Sequence, residues 1–207
     1  MTKPIPVVAI TGAGSGIGRA CGVHLARQGY RVVGGDIRTD LEPLSDSSPI
    51  LPLDVDLDDS CEAFVHRVMA EYGRIDVLFN NAGFGVAGPA EETSSAEAHA
   101  QLETNFFGIA RMCRLALPVM RRQGAGLIVN MSSIGGLIAI PFQPFYTAAK
   151  FAVEGYSEAL RLEVAPFGID VVLIEPSDFK TGFTDRRMIA AAASERSAYG
   201  GRFDQVM

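Results

Sequence analysis

Short apolar runs alternate along this chain with longer stretches in which apolar side chains recur every three or four positions. Six runs, Val7 to Thr11, Arg31 to Gly35, Ile50 to Leu53, Asp76 to Asn80, Leu127 to Met131 and Asp170 to Glu175, are mostly apolar throughout rather than alternating. That is the pattern of parallel strands covered on both faces. Helical periodicity fills the gaps at Gly16 to Gln28, Ser60 to Tyr72, Ala96 to Arg122 and Pro144 to Ala165. Gly29 and Gly73 follow the first two helices as stops, while Pro166 and Gly168 bracket the end of the last. Pro144 suits a first helical turn, where a missing N–H costs nothing. Glu42 to Pro49, polar with two prolines, reads as a loop. Strands alternating with helices predict an α/β fold built on a parallel sheet.

The 207 residues suit one domain, spanning 1–207, with a sizeable core. The end of the chain breaks the alternation. After Pro176 come about thirty residues rich in Ala, Gly, Ser and charge, with no further apolar strand. The strand ending at Glu175 therefore falls at a sheet edge, which natural proteins usually cover. Either a partner covers it or the chain is shorter than the natural protein; truncation is the expectation taken, with 177–207 as a partial substrate lid.

A net charge of −6 argues against non-specific nucleic-acid binding, which needs a basic face. No apolar run approaches the roughly 20 residues of a membrane span, and Met1 to Pro6 lacks the plan of a signal peptide. Cys21, Cys61 and Cys113 are odd in number, far apart and without zinc-like spacing, so reduced thiols in a cytoplasmic protein are expected. His24, His66 and His99 read as surface or helix-face residues with no metal-ligand pattern.

Chemistry enters at Thr11-Gly12-Ala13-Gly14-Ser15-Gly16-Ile17-Gly18, between the first strand and the first helix. Glycines there allow a tight turn and close approach of backbone to a pyrophosphate, whose charge the helix start stabilises. Gly12, Ser15, Gly16, Ile17 and Gly18 are the candidate cradle. Asp36 ends the next strand about 20 residues on, where an acidic side chain accepts hydrogen bonds from the adenosine ribose. A carboxylate at that place repels a 2′-phosphate, so NAD is favoured over NADP, while Arg38 keeps NADP open.

Four further elements follow in order: Asn80-Asn81-Ala82-Gly83 after the fourth strand, Asn105 within Thr104-Asn105-Phe106-Phe107-Gly108, Ser132-Ser133 at the end of the fifth strand, and Tyr146-Thr147-Ala148-Ala149-Lys150. With Gly12, Gly16 and Gly18 spaced as Thr-Gly-x-x-x-Gly-x-Gly, the chain from Val7 to Thr181 resembles the short-chain dehydrogenase/reductase family. Phe142 to Pro176 is similar to its estradiol 17β-dehydrogenase and retinol-dehydrogenase-like branch. The resemblance implies a Rossmann-type doubly wound parallel sheet flanked by helices on both faces, lacking the family's last C-terminal strand. It implies hydride transfer between a secondary alcohol and a ketone, with Tyr146 as general acid/base. Ser133 would hydrogen-bond the reacting oxygen, Lys150 would hold the nicotinamide ribose, and Asn105 would retain a water serving as proton relay. Asp54 and Val55 would flank the adenine, Asn81, Ala82 and Gly83 would line the cofactor groove, and Pro176 and Thr181 would meet the nicotinamide. No metal is implied. Ser177 departs from the family's Pro-Gly and puts the backbone beside the nicotinamide in question.

Tyr146 and Lys150, four apart on a helix, share one face. Lowering a phenol from pKa near 10 by about 3 units takes roughly 4 kcal/mol, and one cation at about 5 Å supplies roughly 3. Lys150 together with the oxidised nicotinamide therefore suffices for such a shift, and because burial alone pushes a phenol upward, the lysine is required.

The substrate wall is expected from Ser133, Gly135, Phe142, Gln143, Tyr146 and Phe183, with Phe84, Val86 and Ile140 making it apolar and suited to a hydrophobic alcohol or ketone. The resemblance also implies a homodimer or homotetramer through the two long helices, with neither nucleic acid nor membrane as partner. An extended-branch epimerase needs a C-terminal substrate domain absent from this sequence. A catalytically weak NAD(H)-binding regulator and an interaction module whose glycine loop binds nothing stay open.

Overall fold

The structure, a computed structural model, describes residues 4–38, 40–177, 187–193 and 197–206. Its elements are β1 (Val7–Thr11), α1 (Gly16–Arg27), β2 (Arg31–Asp36), β3 (Ile50–Pro52), α2 (Asp58–Tyr72), β4 (Val77–Asn80), β5 (Val86–Ala87), α3 (Ser95–Leu102), a π-turn (Glu103–Phe107), α4 (Gly108–Gln123), β6 (Gly126–Met131), a 3₁₀ turn (Ile134–Gly136), α5 (Pro144–Val164), a second 3₁₀ turn (Ala165–Phe167), β7 (Ile169–Ile174), β8 (Met188–Ile189) and α6 (Gly200–Val206).

Six strands form one parallel sheet in the order β3-β2-β1-β4-β6-β7. The chain moves outward from β1 to β3, then α2 carries it back to β4 on the other side of β1. Strand order reverses between β1 and β4, and a crevice opens there beyond the carboxyl ends of the strands.

Alternation along each strand divides the core. Val7, Ala9, Val33, Leu78, Ile128 and Val171 meet α2, α4 and α5, while Val8, Ile10, Val32 and Phe79 meet α1. β7 ends the sheet, and its Val172 and Ile174 remain 43% and 39% exposed on the α1 side. Met120 of α4 is fully buried and packs over Gly126, where any Cβ would collide with its side chain. Met120→Ala is expected to cost about 2–5 kcal/mol. Urea unfolding measures it, and a loss below about 1 kcal/mol would show that this layer repacks freely.

Local signals set the helix ends. Asp58 and Asp59 lie in the first turn of α2, where the helix dipole favours negative charge, and Gly73 closes that helix at φ +69°. Ser94 and Glu97 form a reciprocal capping box at α3.

Two expectations need correction. The helix expected over Ala96 to Arg122 is two helices joined by the π-turn Glu103–Phe107. One extra residue in a turn leaves the apolar periodicity nearly unchanged, so the sequence pattern hides it. Beyond Pro176, where no strand is expected, β8 pairs in parallel with β5. Each of those strands has only two residues, too few for any pattern.

Candidate active site

The crevice holds a cavity of about 580 Å³, within the range of small-molecule and cofactor sites. One wall is the glycine loop. Gly12 and Gly16 adopt φ +65° and +54°, a region that side chains resist. Thr11 Oγ1 accepts the Asn81 and Ala82 N–H groups at 3.0 and 2.9 Å, and Asn81 Nδ2 donates to the Thr11 and Gly12 carbonyls at 3.0 and 3.1 Å. These bonds clamp the loop to the end of β4. A Cβ on Gly12 would lie 2.8 Å from Ala82 Cα, and one on Gly18 would lie 2.5 Å from the Gly12 carbonyl. The loop therefore keeps bare backbone facing the start of α1, which fits a diphosphate.

Asp36 ends β2 and is only 7% exposed. Its Oδ2 accepts the Gly14 N–H at 2.8 Å, and its Oδ1 accepts both the backbone N–H and Nε of Arg38 at 3.1 Å. The cavity wall continues through Asp54, Val55 and Asp56. Asp54 Oδ1 accepts the Asp56 N–H at 3.0 Å, and Thr104 donates to Asp56 Oδ2 at 2.9 Å. Burial pushes the Asp56 carboxyl above the ordinary range, with the Thr104 bond working against it.

At the other end, Ser133 leaves β6 in extended conformation and caps the following 3₁₀ turn, its Oγ accepting the Gly135 N–H at 3.1 Å. Tyr146 and Lys150 come from the first two turns of α5, behind Pro144. Lys150 is 4% exposed, and its Nζ donates to the Met131 carbonyl at 2.8 Å and sits 5.7 Å from the centre of the Tyr146 ring. Burial lowers Lys150 to about 8, opposed by the charge of Glu154. Burial raises Tyr146 above its usual value, opposed by a hydrogen bond with Ser133. Among the protein's own groups desolvation outweighs Ser133 at Tyr146; the expected lowering counts the oxidised nicotinamide together with Lys150.

Asn105 sits in the π-turn, fully buried. Its Oδ1 accepts the Phe84 N–H at 3.1 Å and its Nδ2 donates to the Phe84 carbonyl at 2.9 Å, so its amide fixes the segment between Gly83 and β5.

The short chain dehydrogenase family profile matches residues 6–190. The chain belongs to that family. It is 45% identical over 199 residues to a 3-ketodihydrosphingosine reductase of Bacteroides thetaiotaomicron, covering 95% of this chain and 72% of that one. It is 36% identical over 200 residues to retinol dehydrogenase 8 of Bos taurus, covering 91% and 64%. A 3-ketoacyl-(acyl-carrier-protein) reductase from Brucella melitensis, solved in complex with NADH, superposes with a TM-score of 0.83 at 28% identity, covering 88% of this chain and 79% of that one.

Of the site residues expected from the sequence, Gly12, Ser15, Gly16, Ile17, Asp36, Asp54, Val55, Asn81, Ala82, Gly83, Asn105, Ser133, Gln143, Tyr146, Lys150 and Pro176 all line this one cavity. Gly18 does not; it packs beneath, against Asn81 and Gly12. Phe142, expected in the substrate wall, also lies off it. Its backbone takes φ +60° and its ring meets Tyr199 and Phe203, centroids 6.2 and 5.3 Å away. A bulky residue at positive φ has no pattern to announce it, and this one turns its ring toward α6. Phe84 and Ile140 line the cavity, whereas Val86 and Gly135 do not. Thr181 and Phe183 lie outside the described residues.

Ser177 lines the cavity without positive φ, so serine fits where the family usually has glycine. Arg187, which no motif marked, also lines it. It is placed there by β8, whose Met188 N–H bonds the Gly85 carbonyl at 2.9 Å. No helix among the described residues is long and apolar enough to cross a membrane.

Proposed function

We propose that this chain is an NAD-preferring oxidoreductase that moves hydride between a secondary alcohol and a ketone on a hydrophobic substrate. The observation that carries the reading is that one cavity presents Asp36 at one end and Ser133, Tyr146 and Lys150 at the other, with the glycine cradle between. The apolar wall given by Phe84, Ile134 and Ile140 supports a hydrophobic substrate, as do the 3-ketodihydrosphingosine reductase and retinol dehydrogenase relatives.

Gly12, Ser15, Gly16 and Ile17 would hold the diphosphate, Asp36 the adenosine ribose, Asp54 and Val55 the adenine, and Lys150 with Pro176 the nicotinamide side. When bound, the nicotinamide supplies or accepts the hydride. Tyr146 gives its phenolic proton to the ketone oxygen in reduction and takes it back in oxidation. Ser133, already bonded to the phenol and oriented by the Gly135 N–H, steadies the charge on that oxygen. The Lys150 ammonium, held at the Met131 carbonyl, stabilises the phenolate that proton transfer leaves behind. Asn105, tied to the Phe84 backbone, keeps the cavity wall after Gly83 in register.

The test is reduction of NAD⁺ and NADP⁺, followed at 340 nm with a panel of hydrophobic secondary alcohols. Asp36→Ala should lower kcat/KM for NAD⁺ and raise it for NADP⁺, shifting their ratio by about tenfold or more. The carboxylate that repels a 2′-phosphate is then gone, and Arg38 is released from it. An unchanged ratio would place the ribose elsewhere.

A further inference from the structure

Behind the catalytic lysine lies a buried polar pair that the proposed mechanism does not use. Glu154 follows Lys150 by one turn of α5, a spacing that puts two side chains on one helix face. Its Oε1 is buried without a hydrogen-bond partner, and so is the Ser132 hydroxyl. Both face one spot: a Cβ on Gly136 would lie 2.6 Å from Ser132 Oγ and 3.0 Å from Glu154 Oε1. Ser132 directly follows Met131, whose carbonyl holds the Lys150 ammonium. Buried polar atoms are rarely left without partners, and a carboxylate oxygen that gives up its hydration needs a compensating charge.

We propose that Glu154 is a positioning residue for Lys150, its carboxylate supplying the countercharge that keeps the buried side chain an ammonium docked on the Met131 carbonyl. Gly136 leaves the room in which Glu154 and Ser132 meet, directly or through one water.

No other charged group competes for the role among the described residues on elements packed against α5. On α3, Glu97 is tied to Ser94 and Ala191 while His99 is exposed; in the π-turn, Glu103 pairs with Arg111. On β7, Asp170 is exposed, and Glu175 just beyond it is exposed too. On α5 itself, Arg161 is held at the Val171 carbonyl, Glu158 and Glu163 are exposed, Tyr156 pairs with Cys113, and Tyr146 is the remaining titratable group. Burial already draws the lysine down to about 8, with Glu154 as the opposing charge. Removing that charge leaves desolvation unopposed and lowers Lys150 further.

The inference rests on the reading above only for the task given to Lys150, and its test needs no turnover. Side-chain NMR of the ¹³Cε-lysine-labelled protein, with the Lys150 resonance assigned through Lys150→Arg, follows its titration directly. In Glu154→Gln the midpoint is expected to fall by about one to two pH units, the loss of one opposing charge beside a buried ammonium. Glu154→Asp, which keeps the charge, should return it at least part-way. Thermal unfolding of the variants confirms that they fold. A midpoint unchanged in Glu154→Gln overturns the proposal, and so does one that falls as far in Glu154→Asp. Absence of alcohol turnover in the wild type would defeat the proposed function while leaving this titration intact.

Discussion

Tyr146→Phe lowers kcat for ketone reduction by about 10²–10⁴-fold, the usual contribution of a positioned acid/base group, while NADH still binds. The phenol oxygen is bonded to Ser133 and lies on the cavity wall, and the ring itself is buried to 7% exposure. Phenylalanine fills the same space and keeps the α5 packing, so the change removes a proton donor and little else. Lys150 remains on the Met131 carbonyl, an anchor independent of Tyr146. Steady-state kinetics at saturating nucleotide separate the two effects. A fall in kcat with NADH affinity retained marks the hydroxyl as the proton donor. A matching loss of NADH affinity would instead mean that Tyr146 mainly shapes the cofactor groove.

Gly12→Ala should weaken NADH binding by about tenfold or more. At φ +65° a side chain is strained by roughly 1–3 kcal/mol, and the new Cβ would stand 2.8 Å from Ala82 Cα. Backbone must then move on one side or the other, and the clamp of Asn81 and Thr11 transmits that movement to the phosphate cradle. Gly29→Ala is the control. Gly29 has φ +88° but nothing within 4 Å of its added Cβ, so that variant loses stability without touching nucleotide affinity. NADH fluorescence titration of both variants, with thermal unfolding beside it, measures the difference. Equal losses of affinity in the two would show that strain anywhere along α1, rather than at the cradle, governs binding.

The strands were legible because a parallel sheet buried on both sides demands nearly continuous apolar runs. Glycine stops at Gly29 and Gly73 marked helix ends because left-handed backbone has few other tenants. The cradle, Asp36, Ser133, Tyr146 and Lys150 were legible as types at fixed spacing, and the fold brings them to one cavity. What stayed hidden depends on contacts with no periodicity. The π-turn holds Asn105, whose side chain binds the Phe84 backbone. Arg187 reaches the wall through a two-residue strand. Phe142 turns away because its backbone adopts an uncommon conformation. That burial opposes the phenolate of Tyr146 is legible from the residue type, but how far it outweighs the Ser133 bond depends on packing that only the structure defines.

The most direct test of the account uses NADH carrying deuterium at C4 in the transferred position, with a hydrophobic ketone and mass analysis of the product. The expected product is an alcohol with one deuterium on its carbinol carbon, formed by the wild-type chain and not by Tyr146→Phe. NADH bound firmly with no label reaching any ketone in the panel would contradict it, and would leave a dinucleotide-binding protein whose Ser133, Tyr146 and Lys150 do not reduce ketones.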